Sequence, residues 1–445
     1  MQNDQRATAT INPVKKFHAQ KYNEAHYISD SKHHRMGNTP QPFTIGGITA
    51  EQLANQFGTP LYVYDAEKIT AQYQRLNQAL PTGSVIRYAA KALTNLSVLK
   101  LIGKLGGGVD VVSIQELKLA LLAGIQPARI MFTPNNVEFQ EIEEAVSLGA
   151  EVTVDNLPTL EKFGKRFGNT VRVGIRLNPH IMAGGNLKIS TGHSHSKFGI
   201  SIQQQNQILS IVKNYAIDIS GLHIHTGSEI TDVEVFMKAA DILLEIATYF
   251  PSLRFVDFGG GFKVAYKAGD KTTDIEQLGK MLGDSVAAFN KKFEKNLEIR
   301  VEPGKFLVSE AGYLITKATV VKETPSVTFV GVNSGLNHLI RPMMYDAWHE
   351  IINVSNLDGE QKLYTVAGNI CETDNFGRDR LMNEVREGDL IVILNAGAYG
   401  YTMASNYNSR PRPAEVLIFN NKASLIRKRE VFEDLINGQV DVGVF

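Results

Sequence analysis

Several residues that can do covalent or acid–base chemistry stand at the ends of short β-branched runs. Lys91 ends SVIRYAAK, His223 and His225 share one face of ISGLHIHTG, and Glu302 follows EIRV. A lysine placed there can form an imine once burial lowers its pKa, whereas an isolated strand-end lysine is simply solvated. Each residue alone also has a structural explanation, so only the combination of these residues can indicate a chemical function.

Three glycines follow another run of this kind, in DFGGGF. Bare backbone N–H groups at a strand end can cradle a phosphate, although three glycines also occur in plain turns. The two histidines, with Ser228 just beyond, resemble half of a metal site, but no further His or Cys lies at metal-site spacing, so we expect no metal. A histidine ring stacked on a flat cofactor, with Ser228 donating to a phosphate, fits the same residues.

Together these features define a reaction class. A lysine imine, a phosphate cradle, a stacking ring and a carboxylate that keeps a pyridine nitrogen protonated are what pyridoxal 5'-phosphate requires. The sequence therefore predicts this cofactor. A further reactive group is Cys371, the only cysteine in 445 residues, which Glu372 follows directly. By itself, a free cysteine is more often buried and inert.

The elements that must position these residues alternate regularly from residue 84. Strand candidates are separated by amphipathic helical stretches such as SIQELKLALLAG, where Gly124 is suited to end the helix. The candidates are 84–91, 109–113, 129–135, 151–156, 171–178, 219–227, 254–261 and 298–304. Eight strand–helix units predict a (β/α)8 barrel of the TIM type, whose active site lies at the C-terminal strand ends. An open doubly wound sheet is the alternative, which the absence of G-x-G-x-x-G after the first strand disfavours.

Four regions are expected along the chain. Residues 1–42 are polar without clear periodicity and predict an N-terminal extension. Residues 43–69 are expected to provide a lead-in strand that joins a β domain, and residues 70–310 the pyridoxal-phosphate-binding barrel. Residues 311–445 contain strands separated by turns, which predicts a mostly antiparallel β-barrel or sandwich.

Composition excludes several other classes of protein. Hydrophobic residues make up 43% of the chain and charged residues 21%, and the formal net charge is zero. A nucleic-acid binder would usually carry a basic excess, and a membrane helix would need about 20 consecutive apolar residues. With one cysteine and no apolar leader at the N-terminus, we expect a cytoplasmic protein.

Beyond these patterns, the sequence resembles the fold-type III pyridoxal-phosphate enzymes, with an alanine-racemase-like barrel, and within them the diaminopimelate decarboxylases. The resemblance runs from about Thr59 to about Ile418. It rests on nine motifs in order, which are YAAKALTN, VDVVSIQELKLALLAG, ISTGHSHSKFGIS, GLHIHTGSE, DFGGGF, EPGKFLVSEAG, LIRPMMYDAWHEI, GNICETDN and NAGAYGYTMASNYNSRPRPAEV. The last two are the most specific, because relatives that act on ornithine or arginine usually carry Asp after the cysteine.

The resemblance implies a role for each matched position. Lys91 matches the Schiff-base lysine, and Cys371 matches the acid that protonates the carbanion after carbon dioxide leaves. The implied cofactor contacts are Lys91, Asp110, His225, Ser228, Gly259, Gly260, Gly261, Glu302, Gly304, Lys305 and Tyr399. The implied substrate contacts are Lys305, Arg341, Tyr345, Glu372 and Tyr399. A homodimer with shared active sites is also implied, in which the second subunit supplies the Cys–Glu segment.

The implied reaction is decarboxylation of meso-2,6-diaminopimelate to L-lysine. Glu302 favours decarboxylation because a protonated ring nitrogen is the better electron sink, whereas a racemase of this fold is expected to carry arginine there. One departure is EPGK in place of the common EPGR, since Lys305 keeps the charge but loses the planar fork. A related decarboxylase acting on D-lysine, D-ornithine or a siderophore precursor is therefore the alternative. A non-catalytic barrel that stores pyridoxal phosphate is a third possibility, against which the intact Lys91, Cys371 and Glu302 argue.

Overall fold

The computed structural model describes residues 41–181 and 196–443. Nearly all of the predicted N-terminal extension, together with part of the motif ISTGHSHSKFGIS, lies outside the described residues. Within the described ranges, no helix has the length and apolar character needed to cross a membrane.

Strands and helices are numbered here in chain order. The strands are β1 (Thr44–Ile45), β2 (Ile48–Thr49), β3 (Leu61–Asp65), β4 (Val85–Ala89), β5 (Gly108–Val111), β6 (Ile130–Phe132), β7 (Glu151–Val154), β8 (Val173–Asn178), β9 (Ile200–Ser201), β10 (Ile219–Ile224), β11 (Phe255–Asp257), β12 (Glu298–Val301), β13 (Gly312–Glu323), β14 (Thr328–Val332), β15 (Ile351–Asn353), β16 (Gln361–Ala367), β17 (Asn375–Asn383), β18 (Leu390–Ile393), β19 (Ala414–Phe419) and β20 (Lys422–Arg427). The α-helices are α1 (Ala50–Phe57), α2 (Ala66–Ala79), α3 (Leu96–Lys104), α4 (Ile114–Leu122), α5 (Phe139–Ser147), α6 (Leu157–Phe167), α7 (Gln205–Tyr215), α8 (Val233–Ala247), α9 (Ile275–Phe293), α10 (Lys305–Val308), α11 (Arg341–Tyr345) and α12 (Phe432–Ile436).

Eight parallel strands close into the predicted (β/α)8 barrel. They follow the order β4, β5, β6, β7, β8, β10, β11 and β12, and pairing between β12 and β4 completes the ring, with the short β9 added beside β8. The strands are buried almost throughout, as expected for a parallel sheet covered on both faces. The fold prediction is confirmed. β8 ends at its predicted end, Asn178, whereas the other seven strands end a few residues before theirs, so most of the polar residues of the motifs stand on the rim loops.

Local sequence signals explain where the barrel helices begin and end. The Ser113 side chain accepts a hydrogen bond from Glu116 N–H at the start of α4, and Gly124 with φ of 85° follows its end. Asn156, which stands at a strand end, caps α6 through Thr159 N–H, so its side chain serves the helix.

The β domain takes one strand from before the barrel and the others from after it. β3 lies between β13 and β19 in the order β17, β16, β14, β13, β3, β19 and β20, and β18 pairs with both β13 and β15. Six of its eight pairings are antiparallel, while β14–β16 and β3–β19 are parallel. The chain therefore enters this sheet, builds the barrel and returns to the sheet.

Two hydrogen bonds to backbone carbonyls show how this return places β-domain loops on the barrel rim. Tyr399 N–H donates to the Ala92 carbonyl at 2.8 Å, and the Asn395 side-chain amide donates to the Ala265 carbonyl at 2.7 Å. The loop after β18 is thereby fixed against the loops that follow β4 and β11.

Candidate active site

A cavity of about 680 Å³ opens at the C-terminal ends of the barrel strands. Residues of α11 and of the loop after β18 complete its wall. Of the residues predicted from the sequence, those that line it are Lys91, Asp110, His225, Ser228, Gly261, Glu302, Gly304, Lys305, Arg341, Tyr345 and Tyr399. The barrel and the returning β domain thus bring together residues more than 300 positions apart in the chain.

Lys91 lies on the short helical turn Ala90–Ala92 after β4, and its ammonium group is 2.6 Å from Asp110 Oδ2. Asp110 is buried in β5 and also accepts a hydrogen bond from Thr133. Burial by itself would lower the pKa of Lys91, but the neighbouring negative groups, Asp110 foremost, raise it above its ordinary value. The predicted lowering of this pKa is therefore wrong, because Asp110 holds the side chain as an ammonium ion.

Glu302 belongs to a buried cluster inside the barrel. His223 stands in register with Asp257 on the neighbouring strand, and its Nε2 is 3.2 Å from Glu302 Oε2. Burial raises the pKa of Glu302 to about 8 and that of Asp257 to about 7, and it lowers that of His223 to about 4. At neutral pH, Glu302 is therefore mostly protonated and Asp257 partly so, while the His223 imidazole is neutral. Sequence reasoning missed Asp257, whose only signal was its place two residues before the glycine run.

The same three residues approach one another closely enough to raise the question of a metal. Their ligand atoms lie within 4.8 Å of one another. The positive charges of Lys91 and Arg176 act on Glu302, however, and oppose a further cation. Since both carboxyl groups are also hard to ionise, the arrangement favours holding protons. The expectation of no metal stays a prediction.

Close backbone approach explains the glycines after β11. Gly259 and Gly261 have φ of 67° and 96°, and a Cβ on Gly260 would stand 2.2 Å from the Glu302 carbonyl oxygen. Gly260 N–H donates to His225 Nδ1 at 3.2 Å, which orients that ring and leaves its proton on Nε2. Gly261 lines the cavity, whereas Gly259 and Gly260 shape the turn behind it. A glycine cradle beside a neutral, oriented imidazole fits a phosphate on a flat ring.

Lys305, the departure from the family pattern, is already paired within the chain. Its ammonium group lies 3.1 Å from Glu229 Oε1, and the side chain is 9% exposed. Glu229 has φ of 65°, in the left-handed region that residues other than glycine seldom adopt. Both residues line the cavity, so the charge that Lys305 was expected to offer is neutralised by a carboxylate. Sequence reasoning missed Glu229, which lies 76 positions away.

Arg341 is held by contacts on one side of its guanidinium group. It stacks over the Tyr266 ring at 5.1 Å and donates Nε–H to His349 Nε2 at 3.3 Å. His349 Nδ1 donates in turn to the Leu394 carbonyl at 2.9 Å, which leaves Nε2 as an acceptor. Burial, with the Arg341 charge added to it, lowers the pKa of His349 to about 3, so this ring stays neutral. The Nη side of Arg341 is therefore the side that can meet a ligand carboxylate.

Cys371 and Glu372 lie elsewhere in this chain. Both are exposed in the loop after β16, and neither is among the described residues that line the cavity. The Tyr407 hydroxyl donates to Glu372 Oε1 at 2.7 Å, and the Asn408 amide donates to Cys371 Sγ at 3.1 Å. Side-chain contacts with Tyr407 and Asn408 lower the pKa of the thiol, which the charge of Glu372 opposes. The structure thus surrounds the cysteine with hydrogen-bonding side chains but does not place it in the cavity with Lys91.

Comparison with known proteins adds independent findings. Residues 66–309 match a family model described as the pyridoxal binding domain of pyridoxal-dependent decarboxylases. The chain is 38% identical to the diaminopimelate decarboxylase of Methanothermobacter thermautotrophicus over 410 residues, which cover 89% of this chain and 95% of that one. Among solved structures, the Methanocaldococcus jannaschii diaminopimelate decarboxylase in complex with L-lysine is similar with a TM-score of 0.83 and 34% identity, covering 90% of this chain and 96% of that one. The Helicobacter pylori enzyme complexed with L-lysine is similar with a TM-score of 0.81 and 35% identity, covering 87% and 98%.

Proposed function

The chain belongs to the pyridoxal-dependent decarboxylases and, within them, to the diaminopimelate decarboxylases, and on that basis we propose that it converts meso-2,6-diaminopimelate into L-lysine and carbon dioxide. The observation that carries the proposal is one cavity that holds the Lys91–Asp110 pair, the buried Glu302 and the anchored Arg341. These groups supply covalent attachment, a partner for a ring nitrogen and a clamp for a carboxylate.

Pyridoxal phosphate fits the residues at the barrel rim. Lys91 would attach it, the glycine cradle with Ser228 and Tyr399 would hold its phosphate, and the oriented His225 ring would lie against its face. Glu302 would face its ring nitrogen, where a buried carboxyl group with a raised pKa can share a proton. When bound, the cofactor accepts the electron pair that departing carbon dioxide leaves behind.

Lys91 and Asp110 form the pair in which the lysine must lose a proton before it can react. The lysine must give up its proton to become a nucleophile, and the carboxylate at 2.6 Å is the nearest acceptor. Because Asp110 is buried and also bound by Thr133, it stays in place when the ammonium group leaves it. Asp110 therefore acts here as the group that holds and orients Lys91.

Recognition of the far end of the substrate rests on fixed charges. Arg341 would bind the distal carboxylate through its Nη atoms, with Tyr345 four residues along α11 as a second donor. Glu372 would accept a hydrogen bond from the distal amino group. The Tyr407 hydroxyl donates to Glu372 Oε1 and so orients the carboxylate, which leaves Oε2 for the substrate. A substrate with both a carboxylate and an ammonium group at its far end satisfies both.

The working unit is expected to be a homodimer with shared sites. Cys371 and Glu372 are exposed in the described chain and do not line its cavity, so a second copy would have to bring them to Lys91. We expect the dimer to work in the cytoplasm, where one unpaired thiol stays reduced.

Substrate turnover tests the reaction. Purified protein with pyridoxal phosphate is incubated with meso-diaminopimelate, and carbon dioxide and lysine are measured, with Lys91→Ala as the inactive control. Turnover of D-lysine or D-ornithine without turnover of meso-diaminopimelate would contradict the proposal. Assays with D-lysine and D-ornithine also test the second candidate, a decarboxylase for another basic amino acid. The pairing of Lys305 with Glu229 favours this candidate because it neutralises one positive charge in the cavity.

Mixing two inactive variants tests the shared site. Lys91→Ala and Cys371→Ala chains, when co-expressed, should regain about a quarter of the parent activity, because half of the randomly formed dimers are hybrids and each hybrid has one intact site. If each cavity used its own chain's cysteine, every site would lack one group and the mixture would stay inactive.

A further inference from the structure

Two loops of the β domain meet around the Cys371 thiol. The loop after β16 carries Cys371 and Glu372, and the short turn Tyr407–Ser409 faces it. Across the gap, the Asn408 side chain makes two contacts with the same residue. Its Oδ1 accepts from Cys371 N–H at 2.8 Å, and its Nδ2 donates to Cys371 Sγ at 3.1 Å.

The backbone of Asn408 is adapted to this clamp. Its φ is 57°, in the left-handed region, which asparagine tolerates better than most residues. Arg410 Nη2 donates to the Asn369 carbonyl at 2.6 Å and ties the same two loops together further along. The thiol therefore occupies one defined position although it is exposed.

Tyr407 connects the thiol to the carboxylate beside it. Its hydroxyl donates to Glu372 Oε1 at 2.7 Å and lies 3.4 Å from Cys371 Sγ. A tyrosine hydroxyl that donates its hydrogen bond to a carboxylate can still accept a hydrogen bond from a thiol. The hydrogen bonds thus run from Asn408 to Cys371, from Cys371 to Tyr407 and from Tyr407 to Glu372.

We propose that Asn408 and Tyr407 are positioning residues for the proton-donating thiol, and that Tyr407 also couples this thiol to recognition of the substrate's distal amino group through Glu372. The inference rests on the proposed function, in which Cys371 delivers the proton that replaces carbon dioxide. Donors at the sulfur stabilise the thiolate that remains after the proton is delivered. The titratable groups that act on the thiol are Tyr407 on the facing loop and Glu372 on its own loop. Beyond them, Asp374 interacts with Glu372 and with Arg410.

The single cysteine makes a direct measurement possible. In the full-length protein with pyridoxal phosphate bound, the rate of alkylation by iodoacetamide as a function of pH reports the ionisation of Cys371 alone. Asn408→Gly keeps the left-handed backbone accessible and removes both side-chain contacts. Tyr407→Phe removes only the hydroxyl, and Tyr249→Phe, at an exposed tyrosine of the barrel, is the matched control.

Loss of the donor should raise the midpoint of alkylation in Asn408→Gly by about one pH unit, which is about a tenfold loss of thiolate at a given pH. Asn408→Asp should raise it further, because a carboxylate then faces the sulfur. In turnover of meso-diaminopimelate, Asn408→Gly should lower kcat with little change in KM, whereas Tyr407→Phe should lower kcat and raise KM. Tyr249→Phe should match the parent in every measurement.

The inference is overturned if both loop variants alkylate with the parent profile, or if Asn408→Asp alkylates at lower pH than Asn408→Gly. It is also overturned if Tyr407→Phe leaves KM unchanged. The alkylation results do not depend on the reaction assigned to the enzyme, because alkylation is measured without turnover. Conversely, a Cys371→Ala protein that decarboxylates at the parent rate would refute the proposed role of the thiol whatever the alkylation profiles show.

Discussion

Replacing Glu302 with glutamine removes one buried ionisable group while keeping its size. In the cofactor-free protein this carboxyl group has a pKa of about 8, against an ordinary value of 4.5, and burial is the main cause. When folding raises the pKa of a carboxyl group, the fold has its full stability below the ordinary pKa, where the group is protonated in both states. That stability is lost as the pH rises toward the folded value.

The size of the effect follows from the two pKa values. At about 1.4 kcal/mol for each pH unit between them, full ionisation of Glu302 would cost about 5 kcal/mol of unfolding free energy, an upper limit because entering water relieves part of the penalty. We therefore expect the unfolding free energy of the cofactor-free parent to fall by several kcal/mol more than that of Glu302→Gln between about pH 4.5 and pH 8.5. Asp257 adds to the difference between the two proteins, because part of its raised pKa is due to the Glu302 charge, which the variant lacks.

Urea unfolding of both cofactor-free proteins at several pH values measures this difference. Glu387→Gln, at an exposed turn, is the control and should follow the parent. The reasoning about the buried cluster fails if the parent and Glu302→Gln lose stability in parallel across this range. Glu302→Gln should also bind pyridoxal phosphate more weakly, since an amide cannot pair with a protonated ring nitrogen.

Two further changes test the walls of the cavity. Gly260→Ala should abolish tight binding of pyridoxal phosphate and destabilise the fold, because its Cβ would stand 2.2 Å from the Glu302 carbonyl oxygen. Fluorescence titration with the cofactor measures the binding, and thermal melting measures the stability. Gly103→Ala, whose Cβ would make an ordinary contact, should resemble the parent in both. Arg341→Lys should raise KM for meso-diaminopimelate about tenfold with a smaller effect on kcat, because lysine cannot keep both the His349 contact and two bonds to a carboxylate; an unchanged KM would mean that Arg341 does not bind the substrate.

Much of the cavity could be predicted from the sequence because parallel barrel strands end at one rim. Lys91, His225 and Glu302 stand just after different strands, and closing the barrel is enough to bring them together. For these three residues the prediction needed only the strand periodicity and the polar residues at the strand ends, whereas Arg341, Tyr345 and Tyr399 were implied by the family resemblance.

What could not be predicted depends on register and on partners far away in the chain. Asp257 meets His223 because β10 and β11 pair at those positions, which no spacing within either strand reveals. The pKa of Lys91 was predicted in the wrong direction because burial was considered without the Asp110 carboxylate at 2.6 Å. Lys305 likewise looked like a free cation until its pairing with Glu229 was visible.

The position of Cys371 shows the limit of reasoning from one chain. Its motif marks it as reactive, and the clamp by Asn408 and Tyr407 shows that the surrounding loop is built to hold the thiol. Yet Cys371 is not among the described residues that line the cavity of the same chain. Two loops hold this exposed thiol in one place, and the described residues of its own chain's cavity do not include it, which is the reason for proposing a partner surface. The proposed dimer is therefore an argument from the chemistry of the site, since the proton donor and the lysine must meet for the reaction to finish.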